Sequence, residues 1–150
     1  MDKKTVKELN AYLKGEYMAV KSYEKFIEKT KDPDVRQKLQ SIQQDHEKHA
    51  SKISERISSL GGKPVKGAGY MGIMSDMKNL IKRNRDDTEF ILEDAGRGEY
   101  RGIQMAEEIV KGDLDPESTK LINEILNEDR SHVEKLKGFA QCTIERSQGY

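Results

Sequence analysis

Three histidines are all this chain has, and they fall in two short segments: Asp45-His46-Glu47-Lys48-His49 and Glu128-Asp129-Arg130-Ser131-His132. Residues three apart on a helix share one face, so His46 and His49 point the same way, as do Asp129 and His132. Imidazole and carboxylate are the donors that borderline divalent cations such as zinc, iron and manganese take from proteins. Two more acids, Glu16 and Glu99, stand alone in otherwise apolar stripes. Glu16, His46, His49, Glu99, Asp129 and His132 are therefore the candidate metal ligands. The competing reading is a buried polar layer, a hydrogen-bonded Glu/His network that sets the register of packed helices. Burying such a cluster uncompensated costs several kcal/mol per charge, and a pair of divalent cations removes that cost by turning the groups into ligands.

Four helical patterns must position these groups. Apolar residues alternate at three and four in each: Val6, Leu9, Leu13, Val20, Tyr23 and Ile27 around Glu16; Val35, Leu39, Ile42, Ile53, Ile57 and Leu60 around His46 and His49; Leu92, Ala95, Ile103, Ala106 and Val110 around Glu99; Ile122, Ile125, Leu136 and Phe139 around Asp129 and His132. The offset that carries His49 onto His132 also carries Gly15-Glu16-Tyr17 onto Gly98-Glu99-Tyr100 and Asp32-Pro33 onto Asp115-Pro116. Asp-Pro starts a helix, because Asp caps free amides and proline tolerates the first helical position. One helical hairpin thus occurs twice. The turns fall near Lys31 and Leu114. In both copies the lone glutamate lies as far before the turn as the first of the paired ligands lies after it, and the second follows one helical turn later. At a helical rise of about 1.5 Å per residue the six groups share one level, roughly 22–27 Å from the turns.

The expected architecture is all-α: a four-helix bundle of two repeated hairpins in an up-down, crossover, up-down order. Residues 1–150 form one domain in this reading, with hairpin 1 at about 4–60, the crossover at about 61–86 and hairpin 2 at about 87–141. Gly61-Gly62-Lys63-Pro64 ends the second helix. The crossover holds a short amphipathic piece, about Met71 to Arg83, with Ile73, Met74, Met77, Leu80 and Ile81 on one side. Asp86-Asp87-Thr88-Glu89 caps the next helix.

Charged residues make up 36 % of the chain and aromatics 6 %, there is no Trp, and 27 basic balance 27 acidic side chains. That suits long amphipathic helices and, lacking a basic stripe, speaks against nucleic acid. No apolar run approaches the roughly 20 residues of a membrane span. The start, Met1-Asp2-Lys3-Lys4, lacks a signal-peptide pattern, and the single Cys142 forms no internal disulfide, so the expected compartment is cytoplasmic.

The ligand pattern resembles the ferritin-like superfamily, rubrerythrin and bacterioferritin in particular, which place a Glu on each of two helices and Glu-x-x-His on each of the other two. Glu16 and Glu99 match the lone glutamates, and Asp129-x-x-His132 matches one pair with a shorter acid. His46-x-x-His49 matches the other, with histidine where a bridging glutamate is usual. The segment Leu9 to Tyr17 is also ferritin-like, and the layout is similar to an uncharacterised bacterial branch of small free-standing bundles. The resemblance implies two divalent metal ions, iron first, with Mn and Zn as alternatives. It also implies oxidoreductase chemistry of a peroxidase- or ferroxidase-like kind, with O2 or peroxide as substrate. No Cys-rich domain is present, so an external electron donor is implied, and a homo-oligomer is expected. Two readings stand beside it: a non-catalytic metal-binding or stress-associated bundle, and a structural, self-associating bundle without metal.

Other residues are ambiguous. Tyr23, two turns from Glu16, either packs in the core or hydrogen-bonds a ligand. Asp45 and Glu128 adjoin the ligands and either support them or face solvent; Glu47 reads as solvated. Met71, Met74 and Met77 have a spacing that suits Cu(I) but read as core packing. Tyr17, Tyr100 and Cys142 read as bystanders.

Overall fold

The computed structural model describes residues 3–67 and 88–147, with side chains as far as 141. The described residues form four helices: α1 (Lys3–Lys29), α2 (Pro33–Ser59), α3 (Thr88–Val110) and α4 (Pro116–Ser147). No strand occurs among the described residues. The short amphipathic piece with Met71, Met74 and Met77, the caps at Asp86 and Asp87, and the side chain of Cys142 lie outside them.

The two Asp-Pro restarts are equivalent helix starts. Asp32 Oδ1 accepts from the amides of Asp34 (3.0 Å) and Val35 (3.2 Å), and Asp115 Oδ2 accepts from that of Ser118 (3.3 Å). The first helical backbone bonds, Arg36 N to Asp32 O and Thr119 N to Asp115 O, are both 2.9 Å. At the far end of α2, Gly61 N donates to Ser58 O and Gly62 N to Ile57 O, with Gly61 at φ 82°. This paired closure needs a left-handed residue, which glycine adopts without penalty. Gly62 is required for a second reason: a Cβ there would sit 2.6 Å from a methyl of Val6.

Contacts between ends set the helix directions. Thr5 Oγ1 near the start of α1 approaches Asp113 O beyond α3, and Thr30 Oγ1 after α1 meets Thr88 Oγ1 at the start of α3 (3.1 Å). Arg56, near the end of α2, reaches Asp115 (2.6 Å), Glu117 (2.5 Å) and Ser118 Oγ (3.0 Å) at the start of α4. The pairs α1/α3 and α2/α4 are therefore antiparallel, as are the hairpins, and the crossover joins opposite ends of the bundle. Its start is pinned by Asn10, which donates to Lys63 O and accepts from Val65 N, and by the Tyr17 hydroxyl on Val65 O.

Asp115 makes a test of this joint. Burial pushes its carboxyl up, but hydrogen bonds from Ser118 and the Arg56 guanidinium outweigh that and hold it below its ordinary 3.8. Its stabilisation is therefore present above pH 3.8 and is lost as pH falls through the lowered folded value. Asp115→Ala should cost about 1–2 kcal/mol at pH 7 and flatten this part of the acid limb, as read by urea denaturation at neutral pH and below the carboxylate range.

The core is divided in two. At one end Leu9, Leu13, Ile53, Ile57, Ile103, Ile122 and Ile125 pack together; at the other, Tyr23, Phe26, Leu39, Ile42, Ile91, Leu92 and Leu136. The six ionisable groups lie between these clusters along every helix. Burial departs from the expected stripes in places: Leu60, Val110 and Phe139 are only half-buried, and Ile91, Leu126 and Val133 join the core. On α1, Thr5, Tyr12 and Phe26 are buried, whereas Val6, Val20 and Ile27 are only half-buried. The buried face of this helix is therefore shifted and wider than the expected stripe. And α4 continues to Ser147, past the expected end near Gln141; no Gly or Pro occurs there to stop it, and extending a helix costs little once it is nucleated.

Candidate metal centre

The helices bring all six expected ligands together, none more than 4 % exposed. Glu16 sits on α1, His46 and His49 on α2, Glu99 on α3, and Asp129 and His132 on α4. His46 is central: its Nδ1 lies 2.7 Å from Glu16 Oε2, and its Nε2 lies 2.7 Å from Glu99 Oε1. His49 Nδ1 is 3.6 Å from Glu16 Oε1, and His132 Nδ1 is 3.2 Å from Glu99 Oε1. Asp129 Oδ1 stands between the other two rings, 3.9 Å from His49 Nδ1 and 3.5 Å from His132 Nδ1. The donors form two groups: His46, Glu99, Asp129 and His132 in one, Glu16, His46 and His49 in the other. The structure makes His46 common to both groups, because its ring lies between two glutamates on different helices.

The outward nitrogens of the other two histidines are held across the hairpins. His132 Nε2 meets Asp45 Oδ2 at 2.9 Å, and His49 Nε2 makes a close hydrogen bond to Glu128. Asp45 and Glu128 are themselves related by the offset of the repeat, so each hairpin lends a carboxylate to the other's histidine. Asp45 is half-buried against its histidine, whereas Glu128 reaches His49 and is still exposed to solvent; Glu47 is exposed, as expected. With Nε2 engaged, both Nδ1 atoms are aimed at the cluster. Losing such a support typically costs about 10–100-fold in metal affinity. Asp45→Asn and Glu128→Gln should each weaken binding by that factor, measured by competition with a chromophoric chelator; unchanged constants would mark the contacts as incidental.

Tyr23 is more than packing. Its hydroxyl donates to Glu99 Oε1 at 2.8 Å, and its ring stacks on His46 with centroids 5.5 Å apart. Tyr12, which sequence reasoning passed over, is the other phenol here. It is buried beside Asp129, yet its hydroxyl makes no complete hydrogen bond. Its signal was available: Tyr12 lies four residues before Glu16, one turn away on the same face. Burial, reinforced by the neighbouring carboxylates, pushes both phenols up in pKa, so both keep their protons.

Burial also weighs on the ligands. It disfavours the His46 imidazolium, but hydrogen bonds to Glu16 and Glu99 overcome that and raise its pKa well above the ordinary value. Against the same desolvation, His132 is pushed up to about 10 by Asp129 and Glu99, and His49 is raised by Glu16 and Glu128. Burial alone would raise Glu99, but His132 and His46 lower it to about 2; His46 and His49 lower Glu16 likewise. Asp129 goes the other way, raised by burial and by Glu99 and Glu16 nearby. Metal-free, the cluster is an ion-pair network with protons standing where cations would bind. The network is incomplete: His49 Nδ1, His132 Nδ1, Glu99 Oε2 and Asp129 Oδ1 are buried without a hydrogen-bond partner. Each such atom costs about 1–3 kcal/mol. Nitrogen and oxygen donors left unpaired and facing one another fit a pair of divalent cations.

A cleft of about 510 Å³ between α1 and α3 leads to this cluster, lined by Tyr12, Glu16, Tyr23, His46, Glu99 and Asp129 among others. Gly102 lies on its α3 side, where a Cβ would come within 3.5 Å of Asp129 Oδ2.

The pattern of the family described as "Domain of unknown function (DUF2383)" matches residues 4–112. The chain belongs to this family. No curated protein matches it. Among solved structures it is similar to a dodecameric thioferritin, the bacterioferritin-related protein of Bacteroides fragilis, at 19 % identity and a TM-score of 0.80 over 99 % of this chain and 90 % of that one. It is also similar to a two-domain protein of Anabaena variabilis with DJ-1/ThiJ/PfpI-like and ferritin-like domains, at 18 % identity and a TM-score of 0.75. That match covers 97 % of this chain and only 37 % of the two-domain protein. These likenesses establish a ferritin-like four-helix bundle. Among the described residues no helix is long and apolar enough to cross a membrane.

Proposed function

We propose that this ferritin-like member of the family binds two divalent metal ions, iron first, at Glu16, His46, His49, Glu99, Asp129 and His132. The observation that carries the reading is the four partnerless donor atoms facing one another in a buried layer, with the far sides of two histidines held by Asp45 and Glu128. A register-setting network would pair such atoms with one another, since an unpaired polar atom is costly in a low-dielectric interior.

Bound, such a pair supplies Lewis acidity and one-electron redox capacity toward O2 or a peroxide. The chain's own part follows from its geometry. Glu16 and Glu99 supply negative charge from opposite sides, and Asp129 stands between the two outer histidines. Tyr23 holds Glu99 in place and keeps its proton, and Tyr12 offers another neutral hydroxyl beside Asp129. The α1/α3 cleft provides a route for a small oxidant, which favours turnover over a sealed site. In this reading reducing equivalents come from an external donor, and the working compartment is the cytoplasm. The thioferritin is a dodecamer, and this chain is proposed to self-associate as well.

The test is elemental analysis of protein purified without added metal, followed by titration of the apo-protein with Fe(II), Mn(II) and Zn(II). Two equivalents per chain are expected, together with consumption of O2 or peroxide by the Fe(II) form. Metal uptake without any consumption would leave a binding protein and remove the oxidoreductase part. Sedimentation analysis reads the assembly state.

A further inference from the structure

His46 stands where its counterpart in the second hairpin is a carboxylate, Asp129. Among the described residues it is the one side chain common to both donor groups. It presents Nδ1 to Glu16 and Nε2 to Glu99, each at 2.7 Å, so two carboxylates bracket opposite edges of one ring. We propose that His46 joins the two metal ions through both ring nitrogens, as an imidazolate bridge in place of a carboxylate bridge. The inference rests on the metal-binding reading above.

The distances suit it. A cation with bonds of about 2.0–2.1 Å holds adjacent donors about 2.9–3.4 Å apart. Each His46–glutamate contact, at 2.7 Å, is slightly shorter than such an edge, so the carboxylate swings off the axis of the ring nitrogen as a cation takes the place of the proton. The separation of His132 Nδ1 from Glu99 Oε1, 3.2 Å, fits the same edge. The ring is also held in place: Tyr23 stacks on it, and the rings of His49 and His132 pack at 5.5 and 5.2 Å between centroids. In forming the bridge His46 releases its ring protons to solvent, and each nitrogen lone pair goes to one cation. The groups on the two sides are unequal. The Nε2 side has Glu99, Asp129 and His132; the Nδ1 side has Glu16 and His49.

A bridging ring keeps metals farther apart than a carboxylate. Its span plus two metal–nitrogen bonds gives about 6 Å, against about 3.5–4 Å for an ordinary di-metal pair. Crystals of the wild-type protein loaded with Zn(II), with the metal located by anomalous scattering, decide. The expected result is two zinc ions at the longer, ring-spanning separation, with the His46 ring between them. Two ions at the shorter, carboxylate-bridged separation, or His46 on one ion alone, overturn the bridge and leave the metal-binding reading standing. A single bound ion also overturns the bridge. No bound metal overturns the bridge and that reading together. A second readout is electron paramagnetic resonance of the Cu(II)-loaded protein. The wild type should show spin coupling between two ions, and His46→Gln should lose it; independent Cu(II) signals in the wild type overturn the proposal even where the variant does not fold.

Discussion

His46→Ala will lower the stability of the metal-free bundle by about 3–5 kcal/mol, the cost of breaking a buried ion pair by removing one partner. Glu16 and Glu99 both lean on this one ring, and both are buried. Without it, two carboxylates on different helices face each other across an empty volume. His49 Nδ1 and His132 Nδ1, at 3.6 and 3.2 Å, offer only poorer contacts. His46→Glu should be at least as damaging without metal, since a third carboxylate enters the same space. Divalent metal should restore its stability more than that of His46→Ala, and it should retain iron more strongly than wild type. Urea denaturation in the presence of a chelator, then with added Fe(II), measures both effects. A loss for His46→Ala no larger than about 0.5 kcal/mol, the range of an ordinary surface substitution, would show that the glutamates do not depend on the imidazole.

The second large effect is stabilisation by metal. A ligand that binds only the folded state adds about 4 kcal/mol per site at a thousand times its dissociation constant. For two sites in a chain of 150 residues this corresponds to a rise in Tm of roughly 15–30 °C. The double variant His49→Ala/His132→Ala removes one nitrogen donor from each group and should abolish most of that rise. Calorimetric scans of both proteins with and without Fe(II), Mn(II) or Zn(II) provide the comparison. Wild-type protein whose Tm none of the three metals moves would return the cluster to the role of a polar spacer between two apolar cores.

The bundle and its six-residue layer were legible in the sequence because both rest on local rules. Helical periodicity marked the inward faces. Asp32-Pro33 and Asp115-Pro116 marked the helix starts, and Gly61-Gly62 a stop. The constant offset between the two hairpins then placed Glu16 and Glu99, and His49 and His132, at one depth, because helical rise is uniform. None of this needed knowledge of which helix packs beside which.

Tertiary structure decided everything that depends on neighbours across the bundle. That Asp45 holds His132 and Glu128 holds His49 follows from the antiparallel pairing of α2 with α4, which sequence spacing does not express. Spacing alone puts Tyr12 on the face of Glu16, but that it meets Asp129, on another helix, depends on how the bundle packs. His46 belongs to both donor groups for the same kind of reason. Its place in the repeat makes it a relative of Asp129, but only the approach of α1 and α3 puts a glutamate on each edge of its ring. Spacing along a helix sets height and direction; the partners a side chain meets there are set by the packing of the other three.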